Sequence, residues 1–381
     1  DVFNEAPRTR ARKLMKTNTV KYSVSIPDIH EILDMDDKFE IEPRLAKLAK
    51  QGVRFQDPIA ELEGRSIFDY FLLSNRSLSD IREFFASGLD YQGGRDSSET
   101  LAFKAAFKKR PEVFSWVIDE IVKKDGQSFD PNKLDYSDRA TPFFIATSSN
   151  LNSTMSDLAG LGADLTTKNK FGQTVLQNYL KLTKQLRKQT IDDLFTYSER
   201  QGLGSQWLIN EADNEGQTPI MTLLFRSNRR SKPEKEKCLR SLRFFLNSGA
   251  NPSHQDNRGY SPLMWVAIEG DIEQMKILLD HGADPNLYNA AGDSALTLAV
   301  IRGDEKAVRC LLEHGVNPNE TLDSKPYKNP LLIACQNDSE EIALDLLDFG
   351  AEPNISNDHH DRHTPMIYAI KNGNRHLVQK L

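Results

Sequence analysis

The stretch Asn257–Asn286, NRGYSPLMWVAIEGDIEQMKILLDHGADPN, decides the fold because the chain says it again. From Ala291 to Asn319 it runs AGDSALTLAVIRGDEKAVRCLLEHGVNPN. Gly259 and Gly292, Gly270 and Gly303, and Gly282 and Gly315 each lie 33 residues apart. A fixed period of this size is the signature of a repeat architecture. Such units stack side by side, each touching only its neighbours, and grow into an extended scaffold without a single central core.

Outward from this pair, a Thr, Ser or Asn that opens each unit recurs at Ser66, Thr100, Thr141, Thr174, Thr218, Ser261, Ser294, Asn329 and Thr364. That gives about nine units over residues 61–381, the last one incomplete. The pattern is sharpest at Thr218-Pro219, Ser261-Pro262, Ser294-Ala295 and Thr364-Pro365. A hydroxyl before Pro predicts a helix N-terminus: the side chain caps, and Pro in the first turn has no N–H to leave unpaired. Each unit closes on a Gly (Gly249, Gly282, Gly315 and Gly350), which supplies the left-handed residue that ends a second helix. Ala267, Ala299 and Ala369 are small enough for neighbouring first helices to approach. Leu278-Leu279, Leu311-Leu312 and Leu346-Leu347 predict burial against the next unit, since no unit can bury its apolar face alone.

These residues resemble the ankyrin repeat, whose pattern is a T-P-L-H-x-A start, a Gly between two helices, a Leu-Leu pair and a G-A-D-x-N close. The resemblance implies an all-α solenoid with short finger turns. Two regions depart from it. The units at Ser66-Ile67 and Thr100-Leu101 lack the Pro. The unit at Thr174 has a long helical pair, expected over Val175–Leu194 and Phe195–Leu203, with its closing Gly displaced. An insertion, Arg226–Lys237 (RSNRRSKPEKEK), lengthens the following unit; six basic and two acidic residues without an aromatic predict a solvated, mobile loop. Residues 1–60 do not match and are expected to form a cap over the first repeat, because solenoid ends need covering. The final unit stops within its second helix, so the chain is expected to be part of a longer protein.

Bulk properties exclude several classes. The net charge of −6 gives no global attraction to nucleic acid or anionic membrane. No apolar run approaches the roughly 18 residues of a membrane span. Cys238, Cys310 and Cys335 fall at apolar helix positions and predict small core residues in a reducing, cytoplasmic compartment. No hydrolase elbow, zinc-protease pair or phosphate loop is present, and Asp34–Asp37 lacks the Gly and Glu of a calcium loop. The run His359-His360-Asp361-Arg362-His363 falls in a finger turn and predicts a surface loop, not a metal centre. His254, His281 and His314 are expected to cap helix ends. No cofactor, metal or catalytic residue is therefore assigned, and the chain is not read as an enzyme.

The resemblance places recognition on the concave side, at finger positions and at the end of each first helix, which packing leaves free to vary. Those positions are Asn257, Arg258, Tyr260, Ile268 and Glu269; then Ala290, Ala291, Asp293, Ile301 and Arg302; then Lys325, Lys328, Gln336 and Asn337. Trp265 stands where the family has Leu, and packing between repeats is its first expected role. Trp, Tyr and Arg dominate binding hot spots, so Arg258, Tyr260 and Trp265 form the expected anchor. The expected function is a monomeric scaffold for protein–protein interaction. Irregular spacing and diverged early units also resemble ankyrin proteins of intracellular bacteria, many of them secreted into a host cell to bind host proteins. The alternatives are the substrate-recruiting portion of an enzyme, with catalysis in residues 1–60 or outside this chain, and the cytosolic portion of a membrane protein.

Overall fold

The computed structural model describes residues 141–183, 186–227, 232–319, 328–356 and 363–381, with residues 79, 112, 113, 115, 116, 119 and 130–132. Two compact units partition the chain, Asp1–Asp164 and Leu165–Leu381. The N-terminal segment 1–60 with its acidic run 34–37, and most of the units opened by Ser66 and Thr100, lie outside the described residues. So do Lys325 and His359 to Arg362.

Every regular element among the described residues is helical. In the first unit these include α1 (Pro142–Ser148) and α2 (Asn152–Gly160), which pack as a pair. The second unit holds α3 (Val175–Leu182), α4 (Lys188–Arg200), α5 (Ser205–Asn210), α6 (Pro219–Ser227) and α7 (Lys232–Asn247). It continues with α8 (Pro262–Glu269), α9 (Ile272–Asp280), α10 (Ala295–Arg302) and α11 (Glu305–Glu313). It ends with α12 (Pro330–Gln336), α13 (Glu340–Asp348), α14 (Pro365–Lys371) and α15 (Arg375–Lys380). First helices form one layer, α3 on α6, α6 on α8, α8 on α10, α10 on α12 and α12 on α14. Second helices form the other, α7 on α9, then α11, α13 and α15.

The start signals work largely as the sequence predicts. Ser261, Ser294 and Thr364 each accept a hydrogen bond from the amide three residues on, and Asn329 accepts from Leu331 and Leu332. Thr174 does the same for Gln177, whose side chain returns a bond to the Thr174 amide, a capping box. Among the described residues, Thr141 makes no cap bond and the buried Thr218 hydroxyl meets no partner. Ala267, Ala299 and Ala369 are fully buried where first helices meet. Leu278, Leu311 and Leu346 are fully buried in the second layer, while Leu279 and Leu347 are half-buried at its edge. On this layer Arg309 of α11 grips Asp345 of α13 with two nitrogens, Nε at 3.1 Å and Nη2 at 2.5 Å.

Two expectations are corrected. The Thr174 unit contains three helices, not a long pair. Its first helix stops at Leu182, where Thr183 turns extended (φ −77°, ψ 127°). The apolar period resumes only with Ile191, Leu194 and Tyr197 of α4, across the expected boundary at Leu194. Gly202 and Gly204, both at positive φ, then admit the short α5. The basic insertion is also not one loop. Its last six residues, from Lys232, open α7, and Lys235 reaches the carboxylate of Asp271 at 2.9 Å. Asp271 is buried and caps α9 through its other oxygen, so the insertion is fastened at the next repeat's helix start.

Repeats are also tied to one another by turns. Asn210 accepts from the Asn251 amide and donates to the Gly249 carbonyl; Asn319 accepts from Glu352 and donates to Gly350. A single amide side chain thus clamps the closing turn of the next unit. Finger turns are joined by main chain: the amides of Asn214, Asn257 and Ala290 donate to the carbonyls of Phe171, Glu215 and Arg258. This ladder explains the finger Gly. Gly259 has φ +79°, and a Cβ there would lie 2.9 Å from Asn289 Cα. Gly282 has the same φ of +79° but open space around it. Gly282→Ala is therefore expected to cost only left-handed strain, about 1–2 kcal/mol. Gly259→Ala is expected to cost more, because it pushes two repeats apart. Urea unfolding midpoints of the two variants check this ordering.

Candidate functional site

Each finger turn is built on an acid or amide three residues before its Gly. Asp256 accepts through Oδ1 from the amides of Arg258 and Tyr260, both at 2.9 Å. Asp213 makes the same pair of bonds to Glu215 and Gln217, and Asn169 to Phe171 and Gln173. Asn289 holds Asp293 the same way. The buried Asp256 uses its second oxygen too, accepting from the Trp265 indole N–H at 3.3 Å. One carboxylate therefore fixes both the finger and the aromatic on the following helix.

Around it the structure brings together Arg258, Tyr260 and Trp265. The rings of Tyr260 and Trp265 lie 4.8 Å apart and tilted by 30°. The Arg258 guanidinium sits 5.4 Å from the Tyr260 ring centre and 5.2 Å from that of Trp265, within cation–π range. Phe225, at the end of α6, meets Trp265 edge-on at 4.8 Å and 74°. Trp265 therefore packs between repeats and stays half-exposed at once. Phe225 is 38% exposed and was not among the expected residues. It stands seven residues after Thr218, as Ile268 and Ile301 stand seven after Ser261 and Ser294. That recurrence would have found it.

The other expected residues are dispersed in role. Asn257 is exposed, but its side chain donates to the Asn214 carbonyl, so it serves the finger ladder. Ile268 is half-buried and Glu269 exposed at the end of α8. Arg302 turns back to the Ile268 carbonyl and lies 3.7 Å from Asp304. Asp293 is buried and paired with Lys328 of the next repeat. Ile301, 50% exposed, holds on α10 the position that Ile268 holds on α8, and the two helices pack together. A second ring–cation group stands at another finger: Phe171, 49% exposed, has Lys170 and Lys181 at 5.1 and 5.0 Å from its ring centre.

These residues match known repeat sequences. Residues 234–322 match the model for ankyrin repeats in three copies, and residues 327–358 match that for the ankyrin repeat. These stretches are ankyrin repeats. No curated protein matches the chain. Arg258, Tyr260 and Trp265 lie within the matched ankyrin repeats, and Phe225 lies before them. Cap, finger and ladder geometry of the same kind also occurs from Asn169 to Gln217. Ankyrin repeats are a protein–protein interaction module, and no helix among the described residues is long and apolar enough to cross a membrane.

Chemistry-bearing side chains in the repeats are committed to structure. His281 and His314 place Nδ1 2.7 Å from the carbonyls of Ile277 and Cys310, closing α9 and α11 as expected. His254 does not cap a helix; its Nε2 lies 3.0 Å from the Gly216 carbonyl of the preceding finger. Cys310, His314 and Asp280 come together, with Sγ 4.0 Å from Nδ1 and Nε2 3.9 Å from Oδ1. The sequence reading missed this trio. It is no nucleophile and base, because Nδ1 is taken by the carbonyl and burial pushes the Cys310 thiol up. Burial pushes Cys335 up to about 12. Among the described residues no cluster of His, Cys, Asp or Glu can hold a metal.

Two outcomes follow. Asp256→Ala is expected to cost about 2 kcal/mol or more, since buried donors lose their acceptor. Asp256→Asn is expected to cost less, keeping the finger bonds and losing the indole acceptor; denaturant melts followed by tryptophan fluorescence check both. Because both side chains are buried and burial disfavours their thiolates, most strongly that of Cys335, Cys310 and Cys335 are expected to resist iodoacetamide at pH 8 in the native chain. Both are expected to alkylate in urea, as mass spectrometry of the two samples would show.

Proposed function

We propose that this protein is a recognition scaffold that binds another protein across the face made by its finger turns and first helices. The observation that carries the reading is the Phe225, Arg258, Tyr260 and Trp265 group. Three aromatic rings and a guanidinium are locked together by packing and by Asp256, yet remain partly open to solvent. A rigid aromatic–Arg group of this kind is what binding hot spots are made of, because little side-chain freedom is lost on binding. Second helices offer a different surface, dominated by charged residues such as Glu305, Lys306, Glu340 and Glu341. The repeats supply binding in this reading and no chemistry of their own.

A photo-crosslinking residue placed at Ile301 or Ile268 of the full chain tests this against the same residue at Lys306 or Glu341. In a lysate of the source cells, protein adducts are expected from the first pair and not from the second. Equal adducts from both faces, or adducts only from the second helices, overturn the reading.

A further inference from the structure

The proposed face carries one continuous apolar row. Phe225, Ile268 and Ile301 occupy the same position at the ends of three successive first helices, α6, α8 and α10, which pack in that order. Two of them are strongly exposed, Phe225 at 38% and Ile301 at 50%. The row stops at the next repeat, where the equivalent residue is the exposed Gln336. On its finger side the row is flanked by Arg258, held over Tyr260 and Trp265. At the far end of the row the buried Asp293 is already neutralised by Lys328.

Spacing selects the occupant. Packed helices lie about 8–10 Å apart, so apolar positions in successive repeats recur at about that interval. Seven residues of an α-helix advance about 10.5 Å and return to nearly the same face. A strand covers about 10 Å in three residues, which turns the third side chain to the opposite face. A helix with apolar residues seven apart therefore meets Phe225, Ile268 and Ile301 in turn; an extended peptide does not. Charge selects its flank. On the finger side of the row the exposed cation among the described residues is Arg258, a fixed planar donor suited to a carboxylate. Arg302, also exposed, is held by the Ile268 carbonyl and lies near Asp304, and exposed Glu269 stands at the α8 end, away from the finger. A nucleic-acid strand is disfavoured because Ile268 and Ile301 give bases nothing to stack on, and the chain's net charge is −6.

We infer that the row takes an amphipathic helix of a partner protein, apolar at heptad spacing and acidic on the side that faces Arg258. This rests on the reading that a protein binds this face and adds what kind of segment does so. The test is selection of 21-residue peptides from an unbiased display library on the full chain, with three counter-targets: Ile301→Asp, Arg258→Glu and the doubly changed outer variant Lys306→Ala/Glu341→Ala. Enriched peptides are expected to show apolar residues at seven-residue intervals, helical circular dichroism when bound, and net negative charge. Synthetic copies are expected to lose at least tenfold in affinity on Ile301→Asp and at least threefold on Arg258→Glu, and nothing on the outer variant. A basic copy, with Lys for each Glu and Asp, is expected to prefer the Arg258→Glu chain. Thermal melts of each variant establish that the fold is kept; Arg258→Glu changes an exposed side chain and removes its contacts with the Tyr260 and Trp265 rings. Alternating, strand-like winners, absence of any charge bias, or tighter binding of a twenty-nucleotide oligothymidine overturns the inference. If that happens while crosslinks still map to Ile268 and Ile301, a partner binds the face but is not an acidic helix.

Discussion

Everything in the second unit depends on the inability of a helix pair to bury its own apolar side. A residue such as Leu278 or Leu311 reaches zero exposure only because another pair lies against it. The relative placement of neighbours must then be fixed, and apolar contact alone fixes it poorly, since it is non-directional. Directional bonds do that work at finger turns and at closing turns. Finger amides donate to the preceding finger's carbonyls, and closing asparagines clamp the following closing turn. Lys235 on Asp271, and Arg309 on Asp345, add charged ties along the second layer.

The same fixity makes the face useful. Asp256 holds its own turn with one oxygen and orients Trp265 with the other, so the element that stabilises the repeat also sets the aromatic in place. Cost and benefit fall on one side chain. By contrast, the ionisable groups His281, His314 and Cys310 are held by helix-end carbonyls or by burial.

Period and capping residues made the helical stack legible, because both are local: a hydroxyl before Pro and a Gly after Leu-Leu mean the same thing wherever they stand. Grouping of Arg258, Tyr260 and Trp265 was legible for the same reason, all three lying within one turn and one helix. Phe225 was not, since its neighbour Trp265 comes from another repeat and contact across repeats leaves no short-range signal. The three helices after Thr174 were obscured because residues 183–190 (TKQLRKQT) hold neither Gly nor Pro to mark a break, yet the backbone leaves the helix at Thr183. Lys235 was read as part of a charge run, when its meaning lay in the buried carboxylate of Asp271.

The finger acids have one more implication. Nine residues after Asn169, Asp256 and Asn289 stand Asn178, Trp265 and Leu298. Asn178 and Trp265 answer the finger side chain, one through its Oδ1 and the other through its indole N–H. Leu298 cannot, and the buried Asn289 Nδ2 has no partner among the described residues. An aromatic foothold is thus a two-residue cassette, an acid in the turn and an indole on the helix. Such a cassette could be transplanted one unit along by pairing Asn289→Asp with Leu298→Trp, moving the grip without rebuilding the scaffold that carries it.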